Sequence, residues 1–172
     1  MPRRDPLADP EPLIRRVYAY VAYRIGDGAD AEDVTASTFE RALRYRDRFD
    51  PTRGDVAAWL IGIARREISD EFSRRPIAID VPEEVDPAEL EGEAATRLDL
   101  RRAVSTLGDR DRELIALRFG ADLTARQIAE VVGLRTNAVE VALHRALHML
   151  RGLLESREPS SGLLRSDLRA AE

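Results

Sequence analysis

Arg135, Thr136 and Asn137, with Arg145 about two helical turns further on, are side chains of the types that read nucleic acid. A guanidinium pairs with the edge of guanine, and a carboxamide pairs with adenine. They stand in LTARQIAEVVGLRTNAVEVALHRALHML, Leu123–Leu150. The spacing predicts a short helix over Gln127–Val132 with Ile128, Ala129 and Val132 inward. Gly133 supplies a bend and Leu134 is expected to fill the corner. A second helix follows, buried through Val139, Leu143, Ala146 or Leu147, and Leu150. Its outer face then carries Asn137, Ala138, Val141, His144, Arg145 and His148. The order of helix, glycine turn and longer helix is that of a helix-turn-helix, which offers its second helix to a major groove. A plain helical hairpin would show the same periodicity.

Two further sets of residues suit binding chemistry. Tyr45, Arg46, Arg48, Phe49 and Arg53 precede a long helix whose stripe is Trp59, Ile63, Arg66, Asp70 and Arg74, with Arg65 nearby. Rings interleaved with guanidiniums suit single-stranded DNA, because rings stack on unpaired bases while arginines neutralise phosphate. A beside-lying loop can also hold an extruded base. The alternative is that Phe49 and Trp59 complete a small core. The second set is Asp30, Glu32 and Asp33, with Ser37 and Glu40, in DAEDVTASTFERAL. Acids at a helix start favour the dipole, and the same face also suits a basic helix of a partner.

Enzyme chemistry finds little support. The chain has no cysteine, and its two histidines, His144 and His148, lack a carboxylate to complete a metal set. No phosphate loop or nucleophile–base pair is present, so neither catalysis nor a cofactor is expected. The proline-rich charged start and the lack of a long apolar run point to a soluble, cytoplasmic protein with no membrane insertion. Net charge is −5, yet its distribution matters more. Residues 76–96 hold seven acids and no base, whereas residues 1–75 balance and residues 97–155 are slightly basic. The flanks are therefore free to carry arginine patches. All 27 basic residues are arginine.

The elements that must position these groups are helical throughout. One helix is expected over Leu13–Ile25, facing inward through Ile14, Val17, Val21 and Ile25, with Gly26 as its stop. Asp30 is expected to cap the next, with Asp33 in the capping position and Val34, Thr38, Phe39, Ala42 and Leu43 inward. FDPTRGD, Phe49–Asp55, reads as a loop. A helix from about Val56 to Arg75 is buried through Leu60, Ile61, Ala64, Ile68 and Phe72. Residues 76–96 read as an extended acidic linker. Beyond it come a helix ending near Leu107, another over Arg110–Phe119 capped by Asp109, and the helix-turn-helix. Residues 156–172 read as a flexible tail, with a short helical turn at Leu163–Leu168. The expected architecture is all-α: two small helical domains, 10–75 and 97–155, joined by the linker.

DAEDVTASTFERAL, FDPTRGDVAAWLIGIARREISDEFSRR and LTARQIAEVVGLRTNAVEVALHRAL together resemble signature segments of extracytoplasmic-function sigma factors of the sigma-70 family. The likeness runs from about Leu13 to Leu154, in that family's order. It implies an initiation subunit that recruits core RNA polymerase to promoters and helps melt them. It implies that Asp30, Glu32 and Asp33 meet the clamp helices of the largest polymerase subunit, with the flap of the second-largest as a further contact. Phe49, Arg53, Trp59, Arg65, Arg66, Asp70 and Arg74 would serve the minus-ten element. Arg135, Thr136, Asn137, Ala138, Val141 and Arg145 would serve the minus-thirty-five element. An anti-sigma factor is implied as inhibitor. The chain departs from the family at Glu140 and Ala142, where bases are frequent, and at Leu147, His148 and Met149. It also has Ala36 and Ser37 in place of a Gln-Glu pair, and Arg66 in place of asparagine. A helix-turn-helix regulator acting without polymerase would account for the C-terminal half alone. A small all-α enzyme acting on nucleic acid would lack a reactive constellation.

Overall fold

The computed structural model describes residues 5–74 and 92–156, apart from the side chains of Phe72, Arg74 and residues 92–95. Among them every regular element is helical. Helix α1, Pro10–Ile25, opens with proline in its first turn, where the missing N–H costs nothing. It ends where Gly26 takes φ 96°, a conformation open to glycine. Its buried stripe is Leu13, Val17, Tyr20, Val21 and Ile25. Ile14, expected inside, is instead 44% exposed, because Leu13 and Tyr20 take the position beside Val17.

Helix α2, Ala29–Tyr45, packs on α1 through Ala31, Val34, Thr38 and Ala42. Buried hydroxyls of Thr35 and Thr38 donate to the carbonyls of Ala31 and Val34, each at 2.7 Å, so neither is left unsatisfied. Two expectations fail here. Leu43 points to solvent, one position off the stripe that Ala42 fills. The N-cap is Gly28 and no side chain caps the helix, so Asp30 lies inside the first turn, where its charge favours the dipole. A 3-10 turn, Arg46–Arg48, and the loop beyond it lead to α3, Val56–Arg74. That helix buries Ala57, Leu60, Ile61, Ala64 and Ile68 against α1 and α2. Arg41 and Glu67 tie α2 to α3 at 2.7 Å.

Helix α4, Gly92–Thr106, begins inside the segment read as linker. Helix α5, Asp109–Ile115, follows after Gly108, which is its N-cap; Asp109 is the first helical residue rather than the cap. Arg112 is buried, and its guanidinium donates to the carbonyls of Val104, Ser105 and Leu107. A cation thus closes the C-terminal end of α4, where orphan carbonyls and the helix dipole both call for one. The chain then widens into a π turn, Ala116–Gly120, marked by a bond from the Ala121 N–H to the Ala116 carbonyl at 2.9 Å. Phe119, expected at the end of a regular helix, stands on the outside of this turn.

Helices α6, Ala125–Val132, and α7, Thr136–Glu155, form the helix-turn-helix. Thr124 and Gln127 make a reciprocal capping box at the start of α6. Gly133 closes it at φ 70°, the left-handed conformation expected of a C-terminal glycine. Helix α7 buries Val139, Ala142, Leu143, Ala146 and Leu150, which decides for Ala146 over Leu147. Leu134 does not plug the corner, being 40% exposed. The Leu134 N–H bonds the Ala129 carbonyl, which turns its side chain outward.

The two halves do not stand apart. Helix α1 packs along the π turn, and α3 touches α6. One apolar cluster therefore runs from Leu13, Val17 and Tyr20 through Ala116 and Leu117 to Ile128 and Val139. A second cluster sits under α4, where Ala103, Val104 and Leu107 meet Ile115, Ala146 and Leu150. The stretch 75–91, the tail 157–172 and the expected burial of Phe72 lie outside the described residues.

Candidate nucleic-acid interface

Helix α7 sets Arg135 at its N-cap in extended conformation, with no side-chain cap. Its first-turn amides therefore face outward, as an anion-binding helix end requires. Arg135, Thr136, Asn137 and Ala138 are all exposed there, and Val141, His144 and Arg145 continue the same face. Beneath them Val139, Ala142 and Leu143 are anchored in the core. Ala142 is 3% exposed, so a departure at that position lies where no base edge can be reached. Glu140 is exposed and adds a negative charge beside the face. Val141, at 55%, is among the most exposed of the large apolar side chains described.

The loop before α3 is folded by its own side chains. Asp50 accepts from the backbone N–H and the hydroxyl of Thr52, at 3.0 and 2.7 Å, and its carbonyl accepts from the Arg53 N–H. Such an Asx turn holds Arg53 outward in solvent. Phe49 and Trp59 lie ring against ring, centroids 5.2 Å apart at 44°. Trp59 also touches the core, and both rings keep partly exposed faces, so packing and display coexist. Arg48 sits over the Tyr45 ring at 4.9 Å. Arg66 and Asp70 are exposed on α3. On α2, Glu32 and Asp33 are exposed and Asp30 is half-buried.

Arg65 goes elsewhere. Its Nε lies 2.8 Å from Glu113 Oε1, and its Nη1 donates to the Val131 carbonyl at 2.8 Å. Glu113 also pairs with Arg24 and accepts from the Tyr20 hydroxyl at 3.0 Å. Arg24 reaches Asp109 at 2.7 Å as well. Burial and the Glu113 charge push the Tyr20 phenol far above the ordinary tyrosine range. Burial opposes the charge of Arg24, but Glu113 and the Asp109 hydrogen bond outweigh it and raise its pKa. The Arg24 hydrogen bond holds the Asp109 carboxyl below its ordinary value. Beside this network a cleft of about 660 Å³ opens, with Tyr20, Arg24, Arg65 and Arg66 in its wall. Sequence reasoning did not find Tyr20, Arg24, Glu113 or Gly120. Nothing in the sequence sets Glu113 apart from the other acids, and only Tyr20, three residues after Val17, gives a periodic hint.

Residues 11–76 match the family described as Sigma-70 region 2, and residues 97–150 match Sigma-70, region 4. The RNA polymerase sigma factor CnrH of Cupriavidus metallidurans is 33% identical over 143 residues, covering 74% of this chain and 74% of that protein. The chain belongs to the sigma-70 family. The ECF RNA polymerase sigma factor BldN of Streptomyces coelicolor is 35% identical over 147 residues, 80% of this chain. That match spans 56% of BldN, little more than half of its length. Two solved structures of sigma factors share the helical architecture. CnrH in complex with the cytosolic domain of CnrY gives a TM-score of 0.62 at 25% identity, covering 88% of this chain and 86% of that one. RpoE of Bartonella quintana, in complex with the anti-sigma factor NepR, gives 0.67 at 20% identity, covering 86% and 94%. In sigma-family vocabulary, α1–α3 correspond to region 2, and α5, α6 and most of α4 and α7 fall within region 4. The ion-paired seam thus joins the two regions.

Proposed function

We propose that the chain is an extracytoplasmic-function sigma factor that binds core RNA polymerase and directs promoter-specific initiation without catalysis of its own. The observation that carries this reading is the exposed Arg135–Arg145 face of α7 in a chain that matches both regions of the family. In this reading Arg135, Thr136, Asn137, Ala138, Val141 and Arg145 read the minus-thirty-five element through a major groove. Phe49, Arg53, Trp59, Arg65, Arg66, Asp70 and Arg74 serve the minus-ten element, where the ring pair accepts an unstacked base. Asp30, Glu32 and Asp33 dock on basic clamp helices of the largest subunit, and region 4 docks on the flap of the second-largest. The protein acts in the cytoplasm, where its polymerase is; no described helix is long and apolar enough to cross a membrane.

An anti-sigma factor is the proposed inhibitor. The solved complex of CnrH with the cytosolic domain of CnrY supports a partner of this kind, and the exposed Val141, Leu147 and Met149 give it apolar surface. A regulator acting without polymerase leaves the region 2 match with no account. The deciding experiment is reconstituted transcription with core polymerase on candidate promoters. Core binding and defined start sites are expected; failure to bind core would end this reading.

A further inference from the structure

The chain has only two histidines, His144 and His148, and both stand exposed on α7, four residues apart. Among the described residues neither imidazole finds a hydrogen-bond or ion-pair partner. Side chains one α-helical turn apart share a face, with Cβ atoms ~5–6 Å from each other. Imidazole nitrogens hold a zinc ion at about 2.0–2.1 Å, so two such rings turn onto one ion without bending the helix. A histidine pair at this spacing is how a helix offers two ligands to zinc. The backbone beneath the rings is anchored, because Leu143, Ala146 and Leu150 are buried around them. Binding an ion therefore orders two side chains and little else.

The surroundings select the ion and its strength of binding. Imidazole suits zinc, nickel and copper, whereas magnesium and calcium ask for oxygen ligands. Among the described residues no third acid or histidine joins the pair, so an ion held here keeps open positions for water. Glu140, one turn before His144, is the single acid of α7 ahead of Glu155 and favours a cation from one side. Arg145 and Arg151, both exposed, oppose it from the other. That balance suits an exchangeable ion rather than a permanent one. We propose that His144 and His148 form a two-imidazole site for a divalent ion of the zinc, nickel and copper class, and that the occupied site tightens the hold of α7 on DNA. His144 shares the outward face of Val141 and Arg145, so an ion there adds two positive charges where phosphates approach. It also masks Glu140, whose charge repels them. The DNA coupling rests on the promoter-reading role of α7; the metal site stands on the helix alone.

The test titrates Zn2+ into the full chain without DNA while nitrogen NMR follows both imidazoles. The two rings are expected to shift together, and the melting midpoint should rise with zinc concentration. His144→Asn and His148→Asn should each weaken zinc binding at least tenfold with helicity retained. His148→Cys should keep it, because a thiolate is also a zinc ligand and the chain has no cysteine to compete. On a promoter duplex, zinc should raise the affinity of the parent at least threefold and steepen its salt dependence, while neither Asn variant gains. Glu140→Gln should gain affinity without zinc. A shift of one ring only, zinc binding that survives both Asn variants, or an equal response to Mg2+ overturns the metal site. Zinc held by both rings with unchanged or weaker DNA binding, or a Glu140→Gln variant with no gain, overturns the coupling. A chain that holds zinc yet binds no promoter duplex with or without it sinks the functional reading and leaves the metal site intact.

Discussion

Gly120 lies against the backbone of Tyr20: a Cβ built on Gly120 would fall 2.8 Å from both the Tyr20 Cα and its nitrogen. Those atoms are main chain inside α1 and have no rotamer by which to yield. Gly120→Ala should therefore push the halves apart or strain both, costing about 1–3 kcal/mol. A thermal melt checks it; an unchanged midpoint would show that the seam has slack.

Tyr20 gives the seam a pH limit. Its phenol is fully buried, and its pKa is raised above the ordinary 10.0, first by burial and then by Glu113. The folded state thus holds this proton more tightly than the unfolded one. Its contribution is fully present below pH 10.0 and is lost progressively as pH rises beyond it. Tyr20→Phe should cost about 1 kcal/mol at neutral pH through the lost hydrogen bond. The same variant should flatten the alkaline decline, which denaturation at several pH values would reveal.

Arg112 is the structural cation of the C-terminal half. Arg112→Met keeps much of the volume but strands the carbonyls of Val104, Ser105 and Leu107. A loss of at least ~2 kcal/mol is expected in chemical denaturation. The neighbouring Arg110→Ala, on an exposed side chain, should stay within about 0.5 kcal/mol of the parent. Similar losses in both would rule out the capping role.

Trp59→Ala separates the two duties of its ring. Loss of the Phe49 contact should lower stability by about 1–3 kcal/mol. If the exposed face also receives a base, promoter opening should fall further than closed-complex binding. Permanganate footprinting against gel-shift affinity compares the two. Equal losses in both would leave Trp59 as packing only.

Arg145→Ala should weaken binding to the upstream element by ~1–3 kcal/mol if the guanidinium reads a base. If it meets phosphate instead, affinity should fall for all sequences and the salt slope should drop by about one. Titrations at several salt concentrations distinguish the two. Unchanged affinity would remove Arg145 from the interface.

Much of this architecture is written in local periodicity. Gly26 and Gly133 mark helix ends because each conformation there suits glycine, and Val139, Leu143 and Leu150 repeat at helical spacing on α7. Ile14 and Leu43 are apolar yet exposed because a neighbour one position away fills the same stripe, and Leu134 is turned outward by the bond of its N–H to the Ala129 carbonyl. Asp30 and Asp109 looked like caps, but glycines at 28 and 108 take that place. The seam was not legible at all. Tyr20 and Glu113 are 93 residues apart, and Arg16 and Ala121 are 105 apart, so no spacing rule connects them. The exposure of Arg135, Asn137 and Arg145 was readable, since it follows from the stripe beneath them. The partner of Arg65 was not, since α3 gives no sign that α6 lies alongside.

The π turn at Ala116–Gly120 has one more outcome. A wide turn carries a spare residue compared with ordinary α-helical winding, and that spare sets the rotation of everything after it. It is why the bare residue Gly120 faces α1 while the benzyl group of Phe119 looks away. Deleting Phe119 would rewind the segment by about 100° and bring the Ala121 methyl round to the place of Gly120. The ability of the two regions to touch is thus stored as a phase angle, and one codon can erase it without altering any charge or core composition on either side.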